Sequence, residues 1–552
     1  MKNFIKKYWL LIAILILASS LRFWKLDSYP ALNADEAAIG YNAYSLIKTG
    51  LDEHGHAWPI HFQSFNDYKP GLYFYIVLPF VKFLGLNEWA VRIPGAAFGV
   101  LSVLVIYFLV KKLFKEEKFA IISALFLAIS PWHIQFSRGG WEVNTATFFI
   151  LAGLLSFVSA LNLENFKQKI FKLSLSSIFL VASLYTYHAA RVVVPLLGIS
   201  ILIIYKKEIF KNFKPYLIFA AMSLIILLPL GRDLLSPGAL SRVAGVGLFA
   251  DPGPLNRINE QRGEHENLNN LAGKLIHNKV VNYGLAFSEN WASHFHGEFL
   301  FLTGDAIQRN KVPETGEMYL FDIVFLAVGV ISVFKVLGDR DEKSKNWILI
   351  ICWLLISPVA SALTFQAPNA LRAQNMVIPL IIISAYGFLK VIEWLRLKNL
   401  RFGIWLLVIL IIWLFARYEH MYWVHMSKEY PFSSQYGVKE LVSYVVANDS
   451  KYKNVVVTTR YDQPYILLLF YTKYTPKDFQ NNHILTSKDQ FGFSTVPYFD
   501  KFHFQPIDFQ SVKNNFPNSL IIGTPDEIPK EANIVKRIYG SNGYEYFDVV
   551  AN

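Results

Sequence analysis

The sequence predicts an all-α polytopic membrane domain over residues 1–426, followed by a small C-terminal α/β domain over residues 427–552. Three observations support this fold class. Of the 552 residues, 53% are hydrophobic and only 17% are charged, and the mean hydropathy is +0.32. Long apolar runs alternate with short clusters of lysine and arginine in the first part of the chain, as in proteins that cross a bilayer several times. After residue 427 no long apolar run remains.

The charge and cysteine content exclude other classes of protein. The formal net charge is +12, but the basic residues fall between apolar runs, where the cytoplasmic loops of membrane proteins carry them. Membrane topology therefore explains the charge better than a nucleic-acid partner. The single cysteine, Cys352, lies inside an apolar run, so neither a disulfide framework nor a thiolate metal site is expected.

The first apolar run, at 8–24, follows Lys2, Lys6 and Lys7 and has no small-residue cleavage site after it. It predicts a retained span with a cytoplasmic N-terminus. A first outer loop, 25–94, comes next. This loop is mixed and aromatic up to Lys69, so we expect short helices in the membrane interface rather than a span.

Whether the apolar run at 71–86 crosses the membrane decides on which side of the membrane each later loop lies. It is short and contains Pro79 and Lys82. If it enters the membrane without crossing, alternate loops collect the lysine and arginine clusters, which is the positive-inside pattern. The count is then about eleven transmembrane helices, up to thirteen, with the C-terminus outside. The further spans are predicted at 95–113, 119–136, 145–162, 172–188, 190–205, 215–231, 319–337, 347–365, 376–394 and 402–419.

Asp35 and Glu36 form an acidic pair about ten residues beyond the first span. Two carboxylates are costly near lipid unless they face a watery cavity, where they can take protons or bind cations. This makes them candidates for chemistry. A second interpretation is equally open: Asn33 caps a helix, and the acidic pair occupies a first turn that favours negative charge.

The loops assigned to the outside each carry an isolated arginine among aromatic, Gly or Pro residues. Arginine binds phosphate through bidentate hydrogen bonds, and recurrence on one face favours a shared anion, which at a membrane surface implies an amphiphilic phosphate. Snorkelling at helix ends is the alternative for each residue. The residues of interest in these loops are Arg138 with Glu142, His188 with Arg191, Arg242, and Arg372.

The long outer loop, 232–318, also contains His294, His296 and Glu298. Two histidines two residues apart suit a strand and not a helical zinc pair. The surrounding aromatic residues fit an interfacial segment better, so no metal ligand is predicted there.

The C-terminal domain is predicted to contain strands at 454–459, 519–523 and 544–550 and helices at 437–447 and 462–474. These segments alternate in a way that is typical of a small α/β domain on the outer side of the membrane. Covering a cavity, receiving an acceptor and purely stabilising the molecule are all compatible roles.

Four motifs in order resemble the glycosyltransferases that use lipid-linked sugars, including protein O-mannosyltransferases and lipid A aminoarabinose transferases. The resemblance covers about residues 1–420 and implies the C-type glycosyltransferase superfold, with a catalytic first outer loop. The motifs are Asp35-Glu36, Tyr68-Lys69-Pro70-Gly71-Leu72-Tyr73, Arg92-Ile93-Pro94-Gly95 and Ser130-Pro131-Trp132-His133.

The resemblance also implies roles for individual residues. Asp35, with Glu36 beside it, matches the catalytic acidic position, Lys69 matches a lysine that contacts the lipid phosphate, and Glu142 stands where the family has a second acidic residue. Two departures are visible. Tyr68 replaces an acidic metal ligand of the aminoarabinose transferases, and the acidic residue of the second loop is commonly Asp. The remaining expected contacts to phosphate or sugar come from Arg138, His188, Arg191 and Arg372.

A resemblance of this kind implies a plasma-membrane enzyme that transfers a sugar from a polyprenyl-phosphate donor to a hydroxyl of a protein, lipid or glycan acceptor. The transfer would take place on the outer face of the bilayer with inversion, and Asp35 would be the base. No cofactor is expected to be required; a divalent metal is compatible with the chemistry but has no support in the sequence. The alternative function is a transporter or flippase of lipid-linked sugars, which would carry ionisable residues inside its spans.

Overall fold

The computed structural model describes residues 2–65, 67–235, 247–265, 271–338, 342–430, 433, 435–461, 463–488 and 494–552. The chain forms two compact units. The helical unit consists of Met1–Leu21, Phe98–Phe136 and Glu142–Tyr418. The mixed unit consists of Arg22–Ala97, Ser137–Trp141 and Glu419–Asn552.

Helices coincide with every span predicted from the sequence. Some predicted spans correspond to two consecutive helices, because a proline interrupts the run. The main helices are Lys2–Phe23, Glu88–Phe114, Glu117–Ile129, Pro131–Ser137, Glu142–Leu161, Phe166–Thr186, Ala190–Ile204, Lys206–Lys211, Lys214–Leu234, Gly253–Gly263, Leu271–Ile276, Lys279–Ser293, Phe321–Leu337, Glu342–Ile356, Val359–Ala362, Val377–Leu397 and Arg401–His420.

Seven of the helices within the described residues are long and apolar enough to cross a bilayer. The number is eight if Glu117–Ile129 and Pro131–Ser137, which meet at 58°, form one broken span. The chain is thus a multi-pass membrane protein. The count of eleven spans stays a prediction, since Ala190–Ile204 has only 15 residues and a straight crossing needs about 20. Arg242, one of the isolated arginines of the outer loops, lies outside the described residues.

Small residues allow the helices of the helical unit to approach each other closely. Gly153 packs against Leu180, where a Cβ would lie 2.7 Å from the leucine side chain, and the Ser176 hydroxyl donates to the Gly153 carbonyl at 2.9 Å. A Cβ on Gly387 would meet the backbone of Phe325. Close packing at small residues and hydrogen bonds between helices replace the hydrophobic effect within a membrane.

The first outer loop folds within the mixed unit into helix Ala34–Thr49, a two-stranded hairpin and helix Leu72–Leu84. The hairpin consists of β1, His61–Ser64, and β2, Asp67–Pro70. Helix Leu72–Leu84 has 13 residues and is therefore about 20 Å long. A hydrocarbon core is about 30 Å thick, so this length favours the interpretation that the run at 71–86 does not cross.

The C-terminal part of the mixed unit contains a six-stranded sheet in the order β4-β5-β3-β6-β8-β7. The predicted strands are confirmed as β3, β6 and β8, and the two predicted helices are confirmed as Val438–Ala447 and Pro464–Thr472. The sequence analysis missed the other strands, of which two are very short. Strand bounds are β3 Asn454–Val457, β4 Tyr498–Phe499, β5 Phe502–Phe504, β6 Ser519–Gly523, β7 Ile534–Tyr539 and β8 Glu545–Ala551.

One hydrophobic core joins the first loop to this C-terminal sheet. It contains Ala37 and Tyr41 from helix Ala34–Thr49 as well as Leu469 and Phe470 from helix Pro464–Thr472. The two helices pack so closely that a Cβ on Gly40 would lie 2.6 Å from the Phe470 ring. The helix that carries the acidic pair therefore rests directly on the C-terminal part of the chain.

Replacing Phe470 by alanine tests this shared core. Phe470 is 1% exposed, so the cavity left by Phe470→Ala should lower the free energy of unfolding by about 3–5 kcal/mol. The measurement is thermal unfolding of the detergent-solubilised protein. Val446, at 53% exposure, is the control, and Val446→Ala should change that free energy by less than about 0.5 kcal/mol. Equal stability of the two variants would contradict a shared core.

Candidate active site

Asp35 lies in the first turn of helix Ala34–Thr49 and points toward the hairpin. Asn33 caps this helix by accepting from the Glu36 amide, as the capping interpretation predicted. The Asp35 Oδ1 lies 2.5 Å from the Lys69 Nζ, and Lys69 sits on β2 opposite Phe62. The side chains of Asp35 and Lys69 are 22% and 10% exposed. The hairpin thus places the Lys69 ammonium group beside the Asp35 carboxylate, which is partly exposed to solvent.

Glu36, the neighbour of Asp35, has a different environment. It is 1% exposed, and its Oε2 accepts from the backbone amide of Asn33 at 3.2 Å. The Arg92 guanidinium binds both carboxylate oxygens, with Nε to Oε1 at 2.6 Å and Nη2 to Oε2 at 2.7 Å. The Gly140 amide also donates to Oε1, at 2.8 Å. A carboxylate held by this many donors keeps its position.

Arg92 was quoted in a motif by the sequence analysis but received no role. It is fully buried, and besides Glu36 it donates from Nη1 to the carbonyls of Leu26 and Pro30 at 2.9 and 2.8 Å. The sequence does contain a signal for this role. Arg92 lies near the start of a long apolar helix, where a charged side chain needs a partner of opposite charge.

Gly140 and its neighbour Gly139 let the chain pass close to this ion pair. A Cβ on Gly140 would lie 2.9 Å from Val91 and 3.4 Å from the Glu36 side chain. A Cβ on Gly95 would lie 2.6 Å from the Gly139 carbonyl oxygen. The glycines of the Arg-Ile-Pro-Gly and Arg-Gly-Gly segments therefore permit backbone contact around Glu36.

Arg138 belongs to the mixed unit and is 1% exposed. Its Nε donates to the Tyr422 hydroxyl at 2.8 Å, and its Nη2 donates to the Trp24 carbonyl at 2.7 Å. The guanidinium also lies over the Trp423 ring, 4.7 Å from the centroid. These contacts connect Trp24, which follows the first helix, to Tyr422 and Trp423, which follow helix Arg401–His420.

The other predicted site residues lie in the helical unit. Glu142 is the first residue of helix Glu142–Leu161, a position that favours a negative charge. Arg191 contacts His188, with Nη1 3.2 Å from Nδ1. Arg372 donates from Nη1 to the Thr364 hydroxyl at 2.7 Å. The structure therefore brings together Asp35 with Lys69 and His188 with Arg191.

Asp305, in the Gly304-Asp305 turn, fixes the loop that carries Arg372. Its carboxylate accepts from the Ala370 amide at 2.7 Å and from the Asn310 side chain at 2.9 Å. Burial raises the pKa of Asp305 above its ordinary value. This turn thus has a positioning function within the helical unit.

His294 does not resemble a metal ligand in the structure. Its Nδ1 lies 2.8 Å from the Asn290 carbonyl and its Nε2 lies 2.8 Å from the Ser361 hydroxyl. Both ring nitrogens are therefore engaged by the protein, and burial lowers the pKa of this histidine to about 4. Across the part of the chain that the structure describes, no group of three or more His, Cys, Asp or Glu residues is arranged to hold a metal ion.

Residues 68–231 match the family described as dolichyl-phosphate-mannose-protein mannosyltransferase. A search of curated protein sequences finds no match. Among solved structures, the chain is similar to the oligosaccharyltransferase AglB from Archaeoglobus fulgidus in complex with an inhibitory peptide and a dolichol-phosphate, with a TM-score of 0.50 and 14% identity over 85% of this chain. The chain spans 64% of the length of that protein.

A structure of the same oligosaccharyltransferase tethered to an acceptor peptide gives a TM-score of 0.51 and 15% identity, covering 85% of this chain and 64% of that one. ArnT from Cupriavidus metallidurans in the apo state gives a TM-score of 0.46 and 11% identity, covering 98% of this chain and 97% of that one. The family match and the oligosaccharyltransferase similarity confirm the resemblance inferred from the motifs, and the chain has a C-type glycosyltransferase fold.

Proposed function

We propose that this protein is a membrane glycosyltransferase that moves a sugar from a polyprenyl-phosphate carrier to an acceptor hydroxyl on the outer face of the cell membrane. The observation that carries the proposal is the Asp35–Lys69 pair, with 2.5 Å between carboxylate and ammonium and partial exposure of both side chains. The C-type glycosyltransferase fold and the family match over residues 68–231 support it.

The residue types of this pair suit the reaction. The bond between the anomeric carbon and the phosphate oxygen breaks, the acceptor oxygen bonds to that carbon from the opposite side, and the configuration inverts. The hydroxyl proton passes to Asp35, and the electron pair leaves with the phosphate. Lys69 stabilises the charge that grows on the departing phosphate, an effect worth about 3–4 kcal/mol by comparison with single oxyanion-hole donors.

The ion pair between Asp35 and Lys69 also suggests how each of the two groups is made ready for the reaction. Without the sugar donor, the Lys69 ammonium group compensates the charge of the Asp35 carboxylate. An anionic phosphate competes for the same ammonium group, and its arrival leaves Asp35 with less compensation and thus more able to take a proton. Glu36 is buried and bound by Arg92, so it is not available to take the proton. We therefore assign Glu36 and Arg92 to holding the start of helix Ala34–Thr49 in place.

The remaining predicted residues take supporting roles in the proposal. Glu142 would act on the acceptor, while His188, Arg191 and Arg372 would bind the phosphate or sugar of the donor. Arg138 was expected to bind phosphate or sugar, but its guanidinium donates to the carbonyls of Trp24 and Tyr29 and to the Tyr422 hydroxyl, so we assign it to holding these segments together. The acceptor is a protein, lipid or glycan hydroxyl.

Lys69 and the arginines provide the positive charge that the leaving group needs, so the proposal requires no metal. It places the N-terminus in the cytoplasm and residues 427–552 outside. A transporter or flippase of lipid-linked sugars is the less favoured alternative, because Asp35 and Lys69 lie on a short helix and a hairpin and not inside a long apolar helix.

Asp35→Asn should abolish transfer while leaving the fold intact. Removing a general base typically lowers the rate by about 10²–10⁴-fold. The measurement is incorporation of radiolabelled sugar from a polyprenyl-phosphate-sugar mixture into membranes, with a parallel arm containing EDTA. Glu314→Gln, at a 73% exposed side chain, is the control. Full transfer by Asp35→Asn would refute the assigned base, and loss of transfer in EDTA would refute metal independence.

Lys69→Ala should lower kcat/KM for the donor by about 10²–10³-fold, as the loss of one stabilising donor does. Lys69→Arg should recover part of this loss, since it keeps the positive charge. The same transfer assay, run over a range of donor concentrations, gives the values. Lys536→Ala removes a 37% exposed lysine side chain and should have no effect. Equal kcat/KM for Lys69→Ala and the wild type would exclude a phosphate contact.

Glu36→Gln and Asp35→Asn should differ in their effect on the free energy of unfolding. Breaking a buried ion pair and leaving Arg92 uncompensated should lower the free energy of unfolding by about 3–5 kcal/mol. Asp35→Asn, at a partly exposed pair, should lower it by less than about 1 kcal/mol. Thermal unfolding of both variants in detergent measures the difference. A Glu36→Gln variant as stable as Asp35→Asn would show that Glu36 does not hold the helix start.

A further inference from the structure

The six-stranded sheet has a topological switch point between its central strands β3 and β6. These two strands are adjacent and parallel. The loop after β3 leads to helix Pro464–Thr472, which packs with Val457 on one face of the sheet. The loop after β6 leads to Ile528, which packs with Ile521 on the opposite face. Loops that diverge in this way leave a crevice at the carboxyl ends of the strands, where α/β sheets bind ligands.

A cleft occupies this position at the edge of the sheet. Its volume is about 680 Å³, within the range of about 300–1,000 Å³ that is typical of sites for small ligands. The lining side chains come from the loop after β3, from the loop after β6 and from the start of β8. They include Arg460, Tyr461, Thr524, Asp526, Tyr544 and Glu545.

Glu527 joins the two loops where they leave the sheet. Its Oε1 accepts from the Thr458 hydroxyl at 2.9 Å, and its Oε2 accepts from the Thr524 amide at 2.9 Å. The Thr458 hydroxyl oxygen in turn accepts from the Arg460 amide at 3.1 Å. These hydrogen bonds fix the backbone on both sides of the cleft, so the cleft is formed before a ligand arrives.

The charged side chains of the cleft are compensated within the domain. The Arg460 Nη2 lies 3.4 Å from the Asp526 Oδ2, and this pair bridges the two loops. The Glu545 Oε1 lies 2.8 Å from the Arg537 Nε. Each carboxylate among the described lining residues therefore has a guanidinium beside it. A neutral ligand suits this balance better than a phosphate or a basic peptide, which needs an excess of opposite charge.

Tyr544 adds an aromatic ring to the polar cleft, and it is 69% exposed. The face of an aromatic ring attracts C–H groups, while guanidinium and carboxylate groups donate to and accept from hydroxyls. A sugar offers both features, with hydroxyls around its edge and C–H groups on its faces. We propose that the cleft binds a neutral carbohydrate, with Tyr544 against a face of the sugar and Arg460 and Asp526 hydrogen-bonded to its hydroxyls. Such binding is independent of the proposed transfer, so either can fail without the other.

The test measures the binding of four neutral trisaccharides to the full-length protein by saturation-transfer difference NMR, in a detergent without a sugar headgroup. The probes are mannotriose, cellotriose, maltotriose and N-acetylchitotriose. At least one should bind with a Kd of about 1 mM or tighter. Tyr544→Ala should weaken this binding about fivefold to tenfold, because it removes the aromatic surface. Asp526→Ala should weaken it by a similar factor, because a sugar hydroxyl loses its acceptor.

Tyr498→Ala is the matched control. Tyr498 is a half-buried tyrosine on β4, an edge strand on the other side of the sheet's centre, so this variant should bind the trisaccharide as the wild type does. If Tyr544→Ala and Asp526→Ala also bind it as the wild type does, the carbohydrate lies elsewhere on the protein and the proposal is overturned. Binding of none of the four trisaccharides overturns it as well.

Two charged probes, inorganic phosphate and trilysine, decide the class of ligand. Neither should displace the bound trisaccharide at an equal concentration. Displacement by either one would mean that the cleft takes an ion and would overturn the neutral class. Asp35→Asn, which should lose sugar transfer, should bind the trisaccharide as the wild type does. Failure of the proposed function would therefore leave this binding site standing.

Discussion

The buried ion pair between Glu36 and Arg92 is the interaction on which the candidate site depends. Its two short hydrogen bonds, 2.6 and 2.7 Å, join the start of helix Ala34–Thr49 to the start of helix Glu88–Phe114. Gly140 adds a third donor to the same carboxylate. Because a buried charge is stable only with its partner, these segments must meet in one arrangement. That arrangement fixes the direction in which Asp35, one residue earlier, presents its side chain.

The two adjacent carboxylates thus have separate tasks because their surroundings differ. Glu36 is bound by several donors and sets position, whereas Asp35 pairs with Lys69 and is partly exposed to solvent. The structure confirms the helix-start interpretation of the acidic pair, and the chemical interpretation stays a proposal for Asp35. The helix needs the cap and the buried ion pair to hold Asp35 in place, and the proposed reaction needs Asp35 to remain accessible.

The C-terminal part of the mixed unit packs against the helix that carries the acidic pair. Its helix Pro464–Thr472 packs against the helix of Asp35 through Phe470, and its His483 Nε2 lies 3.2 Å from the His54 Nδ1. Lys69 lies over the Phe65 ring, and Phe65 packs against Tyr465 of helix Pro464–Thr472, so residues from both ends of the mixed unit surround Lys69.

The sequence by itself determined the membrane class, the positions of the long apolar helices and the main strands of the C-terminal sheet, and it offered the Asn33 cap as one of two interpretations. These features depend on apolar run length, caps and alternation, which are local. It also indicated Asp35 and Lys69 through a resemblance. Only the tertiary structure decided the partners: Glu36 with Arg92 across 56 positions and His54 with His483 across 429. Such pairs depend on how distant segments pack, and no local pattern of residues encodes that packing.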